Sequence, residues 1–356
     1  MKILIIQQKM IGDVLTTSIL FEALKIKFPN AELHYLINSH TYPVVENNPF
    51  IDHFVFFTPE IEKSKRKLLQ LGKTIKNENF DIVIDAYSKL SSNLLTLLSK
   101  AKVKISKYKS YTAFLYTHPV KYRTTPLTEA GLAIENRMQL LSSIDPELAQ
   151  TNIKPKIYLT EEEKEKAKQL LMDSNIHLNK PLFMISVLGS GNTKTYPLKY
   201  MAKVIDQIVN QTQGQILFNY IPKQLEEAQT VFNYCEKETQ NHIHMAVFGK
   251  GLREFLALTF HCNALIGNEG GAVNMAKALE IPTFTIFSPW IDKKTWSIFE
   301  NKHNVSVHLK DYKPEFYSEK EEKELKKEAL TLYKEFKPSY FSESLNRFLK
   351  TIVANK

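Results

Sequence analysis

Apolar and polar positions alternate along this chain in blocks. Residues 2–7 form an almost continuous apolar run, which suits a parallel strand buried on both faces. Between residues 13 and 28, Val14, Ile19 or Leu20, Ala23 or Leu24 and Phe28 recur at helical spacing, and Pro29-Asn30 ends the element. Residues 32–37 read as a second strand, which completes a β-α-β unit. Residues 54–57 and 81–85 predict further strands, with the lysine-rich stretch 60–77 as a helix between them. After a polar break near residues 151–155 the alternation resumes. Helices are expected at 161–174, 197–211, 224–238, 252–261 and 272–279, and strands at 182–187, 215–219, 243–247, 264–267 and 282–287. Residues 318–356 predict two helical stretches broken at Pro338. The pattern is that of an α/β protein with two doubly wound sheets. Their carboxyl strand ends are expected to face each other across a cleft, where ligands of such folds bind.

Length agrees with two domains, because 356 residues exceed one comfortable core. A composition of 43% hydrophobic and 24% charged residues excludes collagen-like and largely disordered classes. The first apolar run is shorter than a signal-peptide core, and no stretch approaches the roughly 18 apolar residues of a membrane span, so a cytoplasmic location is expected. Cys235 and Cys262 stand apart from any metal-ligand spacing and read as core residues. The net charge of +9 is uneven. Residues 86–128 contain no acid but carry Lys89, Lys100, Lys102, Lys104, Lys107, Lys109, Lys121 and Arg123. Such a run either is a solvated face or attracts a polyanion: a nucleic acid, an anionic membrane surface or a phosphorylated acceptor.

Three strand-to-helix junctions carry candidate chemistry. At Lys9-Met10-Ile11-Gly12-Asp13, Gly12 permits close approach of a ligand. Asp13 there either caps the helix or, ionised, accepts a proton from a hydroxyl. The single glycine is not a dinucleotide fingerprint. In the segment from Leu188 to Pro197, backbone N–H groups and the Ser190 and Thr193 hydroxyls can donate to a diphosphate while Lys194 neutralises it; a plain surface turn is the alternative. From Ile266 to Ala276, Glu269 can accept from sugar hydroxyls beside Gly270 and Gly271, although glycine-rich helix entries also serve packing alone. No Asp-x-Asp pair exists to hold a magnesium-bound nucleotide sugar, and His242-x-His244 lacks a nearby third ligand, so no metal site is expected.

Together these junctions resemble glycosyltransferase family 9, the lipopolysaccharide heptosyltransferases, over nearly the whole chain. Met10-Ile11-Gly12-Asp13-Val14-Leu15 is similar to the family's amino-terminal signature, and residues 80–85 to a second recurring strand. Lys194-Thr195-Tyr196-Pro197 resembles the Lys-Arg-Trp-Pro element, and Ile266 to Ala276 the Asn-Asp-[Ser/Thr]-Gly-x-x-His motif, with Glu269 at the aspartate and Asn274 at the histidine.

The resemblance implies a GT-B fold of two Rossmann-like domains and an inverting, metal-independent transfer of a sugar, heptose from ADP-heptose, to a lipopolysaccharide-core or related glycan. Asp13 is then the catalytic base. The donor is assigned to Gly189, Ser190, Thr193, Lys194, Lys250, Glu269, Gly270, Gly271 and Asn274, with no cofactor beyond this co-substrate. An anionic glycolipid acceptor is assigned to Gly12, Lys63, Lys65, Arg66, Lys67, Lys121 and Arg123, at the cytoplasmic face of an inner membrane. Residues 1–155 are expected to form the acceptor domain and 156–335 the donor domain, with a carboxyl-terminal helix in 336–356 packing back on the first. Glu269 and Asn274 depart from the motif and leave two alternatives, a different nucleotide sugar or a non-catalytic sugar-nucleotide-binding protein. Nucleic-acid binding rests on charge alone, lacks a recognised module and is not expected.

Overall fold

The computed structural model describes residues 1–318 and 320–354. The chain divides between Tyr158 and Leu159 into two compact units, a few residues beyond the expected break. The first contains strands β1 Lys2–Ile6, β2 Glu32–Asn38, β3 His53–Phe57, β4 Ile82–Asp85, β5 Val103–Lys107 and β6 His118–Val120. All pair in parallel in the order β3-β2-β1-β4-β5-β6. Its helices are α1 Ile11–Thr17, α2 Ile19–Lys27, α3 Pro59–Glu62, α4 Lys65–Asn77, α5 Leu90–Ser99 and α6 Leu132–Met138. Residues 3 to 6 of β1 are fully buried, as a strand covered on both faces requires. Their core partners include Leu36, Val83 and Leu95.

The second unit has helices α7 Glu161–Asp173, α8 Leu198–Thr212, α9 Leu225–Tyr234, α10 Lys237–Gln240, α11 Leu252–Phe260, α12 Gly271–Ala278, α13 Lys293–Trp296, α14 Glu322–Lys327, α15 Ala329–Glu335 and α16 Ser342–Ala354. Its strands are β7 Leu182–Ser186, β8 Gln215–Phe218, β9 Ala264–Asn268, β10 Thr283–Ile286 and β11 Asn304–Val307, all parallel in the order β11-β10-β9-β7-β8. Strand order reverses beside β1 in the first sheet and beside β7 in the second. These switch points are where adjoining loops diverge and leave a crevice.

Several expected elements differ. The single helix over 13–28 is two, α1 and α2, that meet at Ser18, whose hydroxyl donates to the Leu15 carbonyl. Residues 60–77 likewise split at Ser64, whose hydroxyl caps α4 by accepting from the Lys67 N–H at 3.3 Å. The strand expected at 243–247 reduces to one bridge between Ile243 and Ile216, because the chain turns at once, with the Val247 N–H donating to the His244 carbonyl.

The carboxyl-terminal helix α16 lies along α8 and completes the second unit's core through Leu345, Phe348, Leu349 and Ile352. The Gln207 amide fixes it by donating to the Ser342 carbonyl at 2.8 Å and to Asn346 at 2.7 Å. The physical reason is its apolar stripe, which meets Phe284 of β10 through Phe348 with ring centroids 5.6 Å apart.

Asp85 ends β4 fully buried. Its carboxylate accepts from the Tyr116 hydroxyl at 2.6 Å and from the Ser88 N–H at 2.7 Å. Burial pushes its pKa up to about 6 in spite of these donors.

Two stability predictions follow from this packing. Phe348→Ala should destabilise the second unit by about 3–5 kcal/mol, seen as a lowered calorimetric transition; an unmoved transition would place α16 outside the core. Because folding raises the Asp85 pKa, its contribution is complete below the unfolded value near 4 and is lost as pH rises through about 6. Replacing it by the non-ionising Asp85→Asn should therefore flatten the first unit's stability profile by about 2 kcal/mol between roughly pH 4.5 and 7.5. Urea titrations that give the two proteins the same change in unfolding free energy between these pH values would contradict this.

Candidate active site

In the first unit the switch point carries Asp13. The residue before α1, Met10, is held at a φ of 66°, a conformation rare for a residue with a side chain, and α1 has no side-chain cap. Asp13 therefore does not cap the helix. It stands in the first turn with its carboxylate one-quarter exposed and ion-paired to Nη2 of Arg137. Arg137, on α6, is itself largely buried. Its Nε donates to the Thr17 hydroxyl at 2.9 Å and its Nη1 to the Ala133 carbonyl at 2.7 Å. With the guanidinium fixed on three sides, Asp13 Oδ1 is fixed too, and Oδ2 accepts no hydrogen bond from the described residues.

The expected acceptor cations fall in two groups, and none contacts the Asp13 carboxylate among the described residues. Lys63 ends α3, and Lys65, Arg66 and Lys67 open α4, all exposed. An ion pair between Lys9 and Glu62 of α3 tethers this junction to the loop that leads into α1. Lys121 and Arg123 follow β6. Lys121 lies over the Tyr108 ring at 5.4 Å, and Arg123 is 3.9 Å from the buried Glu135 carboxylate. Glu135 also receives the N–H groups of Leu127 and Thr128 and the Thr128 hydroxyl, which pins the loop after Arg123. Tyr122, between the two cations, is pushed up to about 12 by burial and lies within electrostatic reach of Arg137 and Asp13. Gly12 precedes Asp13 within α1.

In the second unit, the loops after β7, β9 and β10 converge. Gly189 closes the first of them, since a Cβ there would lie 2.1 Å from the Lys194 carbonyl oxygen. Its N–H donates to the Thr195 hydroxyl at 3.1 Å, and its carbonyl accepts from Gln224 at 2.9 Å. The Thr193 carbonyl accepts from Ser288 Oγ at 2.6 Å and Trp290 Nε1 at 2.9 Å. Asn268, fully buried at the end of β9, accepts from the Tyr196 N–H at 2.7 Å and donates to the Ser186 carbonyl at 2.9 Å. The Tyr196 hydroxyl donates to the Phe336 carbonyl, so the loop is anchored at both ends of its functional stretch.

This anchoring presents Lys194. Its ammonium is 3.3 Å from the Glu269 carboxylate and 5.5 Å from the Trp290 ring centre, while Lys326 lies 4.7 Å from the same ring. Burial raises the Glu269 pKa and Lys194 opposes the shift. Gly270, at a φ of 145°, opens α12, whose first N–H groups have no partner within the helix. Ser190 is exposed, Thr193 and Asn274 are half-buried, and Gly271 is the first residue of α12. A cation, hydroxyls and a helix start together can hold a diphosphate. Lys250 is exposed in another loop, where its N–H donates to Glu254 at 2.7 Å; no described contact joins it to Lys194.

Arg137, Asn268, Trp290 and Lys326 were not singled out in the sequence. Asn268 had a usable signal, since it lies inside the glycine-rich junction directly before Glu269. His242 Nδ1 is 3.0 Å from the Gly214 carbonyl, and His34 and His53 meet Glu32 at the opposite, amino ends of β2 and β3. There Lys2 lies 3.4 Å from the same carboxylate.

The sequence pattern of glycosyltransferase family 9 (heptosyltransferase) matches residues 68–326. The chain is 23% identical to lipopolysaccharide heptosyltransferase 1 of Campylobacter coli over 303 residues, 81% of this chain and 84% of that protein. Its fold is similar to that of the ADP-heptose lipopolysaccharide heptosyltransferase II of Escherichia coli, with a TM-score of 0.72 at 16% identity over 99% of each chain. A family 9 glycosyltransferase of Veillonella parvula gives a TM-score of 0.76 at 19% identity over 94% of this chain and 97% of that one. A pattern spanning well over half of the chain, on two doubly wound units of this topology, places the protein in glycosyltransferase family 9, as an enzyme with the GT-B fold.

Proposed function

We propose that this glycosyltransferase moves heptose from ADP-heptose to an anionic lipopolysaccharide-core acceptor, with inversion and without a metal ion. The observation that carries the reading is the Asp13 carboxylate, oriented by Arg137 at the switch point beside β1, with Oδ2 available to a hydroxyl. In this reading the acceptor hydroxyl gives its proton to Asp13 as its oxygen attacks the anomeric carbon opposite the diphosphate. The bond from that carbon to the diphosphate breaks, and the electron pair leaves with ADP. Lys194, Ser190, Thr193, the backbone around Gly189 and the N–H groups from Gly271 onward take up the charge on the leaving group. Glu269 and Asn274 face the donor sugar, Gly270 lets it approach the backbone, and Lys250 lies toward the nucleobase.

Anionic groups of the acceptor are assigned to Lys63, Lys65, Arg66, Lys67, Lys121 and Arg123, and Gly12 leaves room beside Asp13. Support for this donor and acceptor comes from the relatives, named as an ADP-heptose enzyme in Escherichia coli and a lipopolysaccharide heptosyltransferase in Campylobacter coli. A different nucleotide sugar is the second reading. It is favoured by the 3.3 Å pair of Glu269 with Lys194, which draws this carboxylate toward the phosphate-binding cation.

A donor panel tests both readings. With ADP-heptose and a Kdo-containing acceptor, transfer should persist in a metal chelator and give a product inverted at the anomeric carbon by NMR. Turnover with another nucleotide sugar alone would establish the second reading. Donor binding with no transfer to any lipopolysaccharide acceptor would leave a sugar-nucleotide-binding protein in place of an enzyme acting on this class. Lys194→Ala should weaken donor binding by calorimetry about 10-fold to 100-fold, as expected for one charge-assisted phosphate contact; unchanged affinity would remove Lys194 from the donor site.

A further inference from the structure

Helix α5 is built inside out. Its buried side carries Ser92, Asn93, Thr96 and Ser99 around the single fully buried Leu95, while Leu90, Leu94 and Leu97 recur at i, i+4 and i+7 along its outer side. These leucines line a groove of about 470 Å³ with Tyr111, Phe114 and Leu115. Leu90 is 86% exposed, Phe114 82% and Tyr111 72%. Folding gains nothing from large apolar side chains left in water, and a contiguous group of them marks a surface with a partner.

The surrounding charge states what kind of partner. Lys89 starts the helix at the groove's rim, Lys100 and Lys102 follow its end, and Lys109 reaches over to the Ser88 carbonyl beside it. Among the described residues none of these four lysines has a carboxylate within ion-pair distance, and residues 86–128 contain no acid. Lysines of one sign around exposed leucine and aromatic side chains form the combination that binds an anionic lipid interface. The apolar groups enter the boundary between headgroups and acyl chains, and the ammonium groups meet phosphates.

We infer that the face formed by α5 and the turn at residues 111–115 docks the first unit on an anionic phospholipid bilayer, with Leu90, Tyr111 and Phe114 inserted. No residue assigned to donor or acceptor lines this groove, and the inference does not depend on which sugar is transferred.

The test is flotation of the full chain with acceptor-free vesicles of phosphatidylglycerol and phosphatidylethanolamine, against vesicles of phosphatidylcholine alone. Binding should be at least about tenfold stronger to the anionic vesicles and fall between about 50 mM and 500 mM salt. The Leu90→Ser/Phe114→Ser variant should lose at least about tenfold of that partition, with its circular dichroism spectrum, thermal transition and turnover of a delipidated, soluble acceptor unchanged. Lys89→Gln/Lys100→Gln/Lys102→Gln should bind more weakly and with a shallower salt dependence. Absence of binding to anionic vesicles, or equal binding by wild type and the Leu90/Phe114 variant, would overturn the inference. Self-association abolished by the same substitutions without vesicle binding would overturn it in favour of a protein interface.

Discussion

A guanidinium fixed by three acceptors is the constraint around which the first unit's chemistry is arranged. Arg137 reaches from α6 to the helix that follows β1 and holds the Asp13 carboxylate in one orientation. Without it, a carboxylate in the first turn of a short helix would be drawn to the N–H groups there. The same helix α6 carries Glu135, which pins the loop following Arg123, so one short element orients the Asp13 carboxylate and the basic loop that follows β6. Met10, in its strained conformation, sets where the helix begins and hence where the carboxylate stands.

The second unit reaches the same end through a neutral clamp. Asn268, buried between two strands, joins the loop carrying Lys194 to the sheet through one acceptor and one donor. Tyr196 continues the linkage into the core, where the carboxyl-terminal segment packs around it through Phe336 and Phe341. The position of Lys194 thus depends on residues about 140 places later in the chain. The carboxyl-terminal segment is part of the second unit's core for that reason.

Local signals were legible in the sequence where the physics is local. The buried strands, the helices that follow them and the three strand-to-helix junctions stand out through apolar runs, helical spacing and glycines. Asp13 could be placed beside a switch point in this way, although spacing alone did not separate a capping role from a catalytic one. Arg137 was not legible. Its partner is 124 residues away, and its helix belongs to a stretch whose short elements, β5, β6 and α6, leave too few turns for a periodic signal. The 243–247 run misled because alternation fits a strand, whereas a turn hydrogen bond ends the ladder after one bridge. The terminal helix showed its apolar face but not which sheet would receive it.

The role given to Asp13 is tested most directly by steady-state turnover and donor calorimetry on Asp13→Asn. Asparagine keeps the shape and an acceptor for Arg137 but cannot take the acceptor's proton. The account predicts a fall in kcat of about 100-fold or more with donor affinity unchanged. Turnover equal to that of the unaltered enzyme would contradict it.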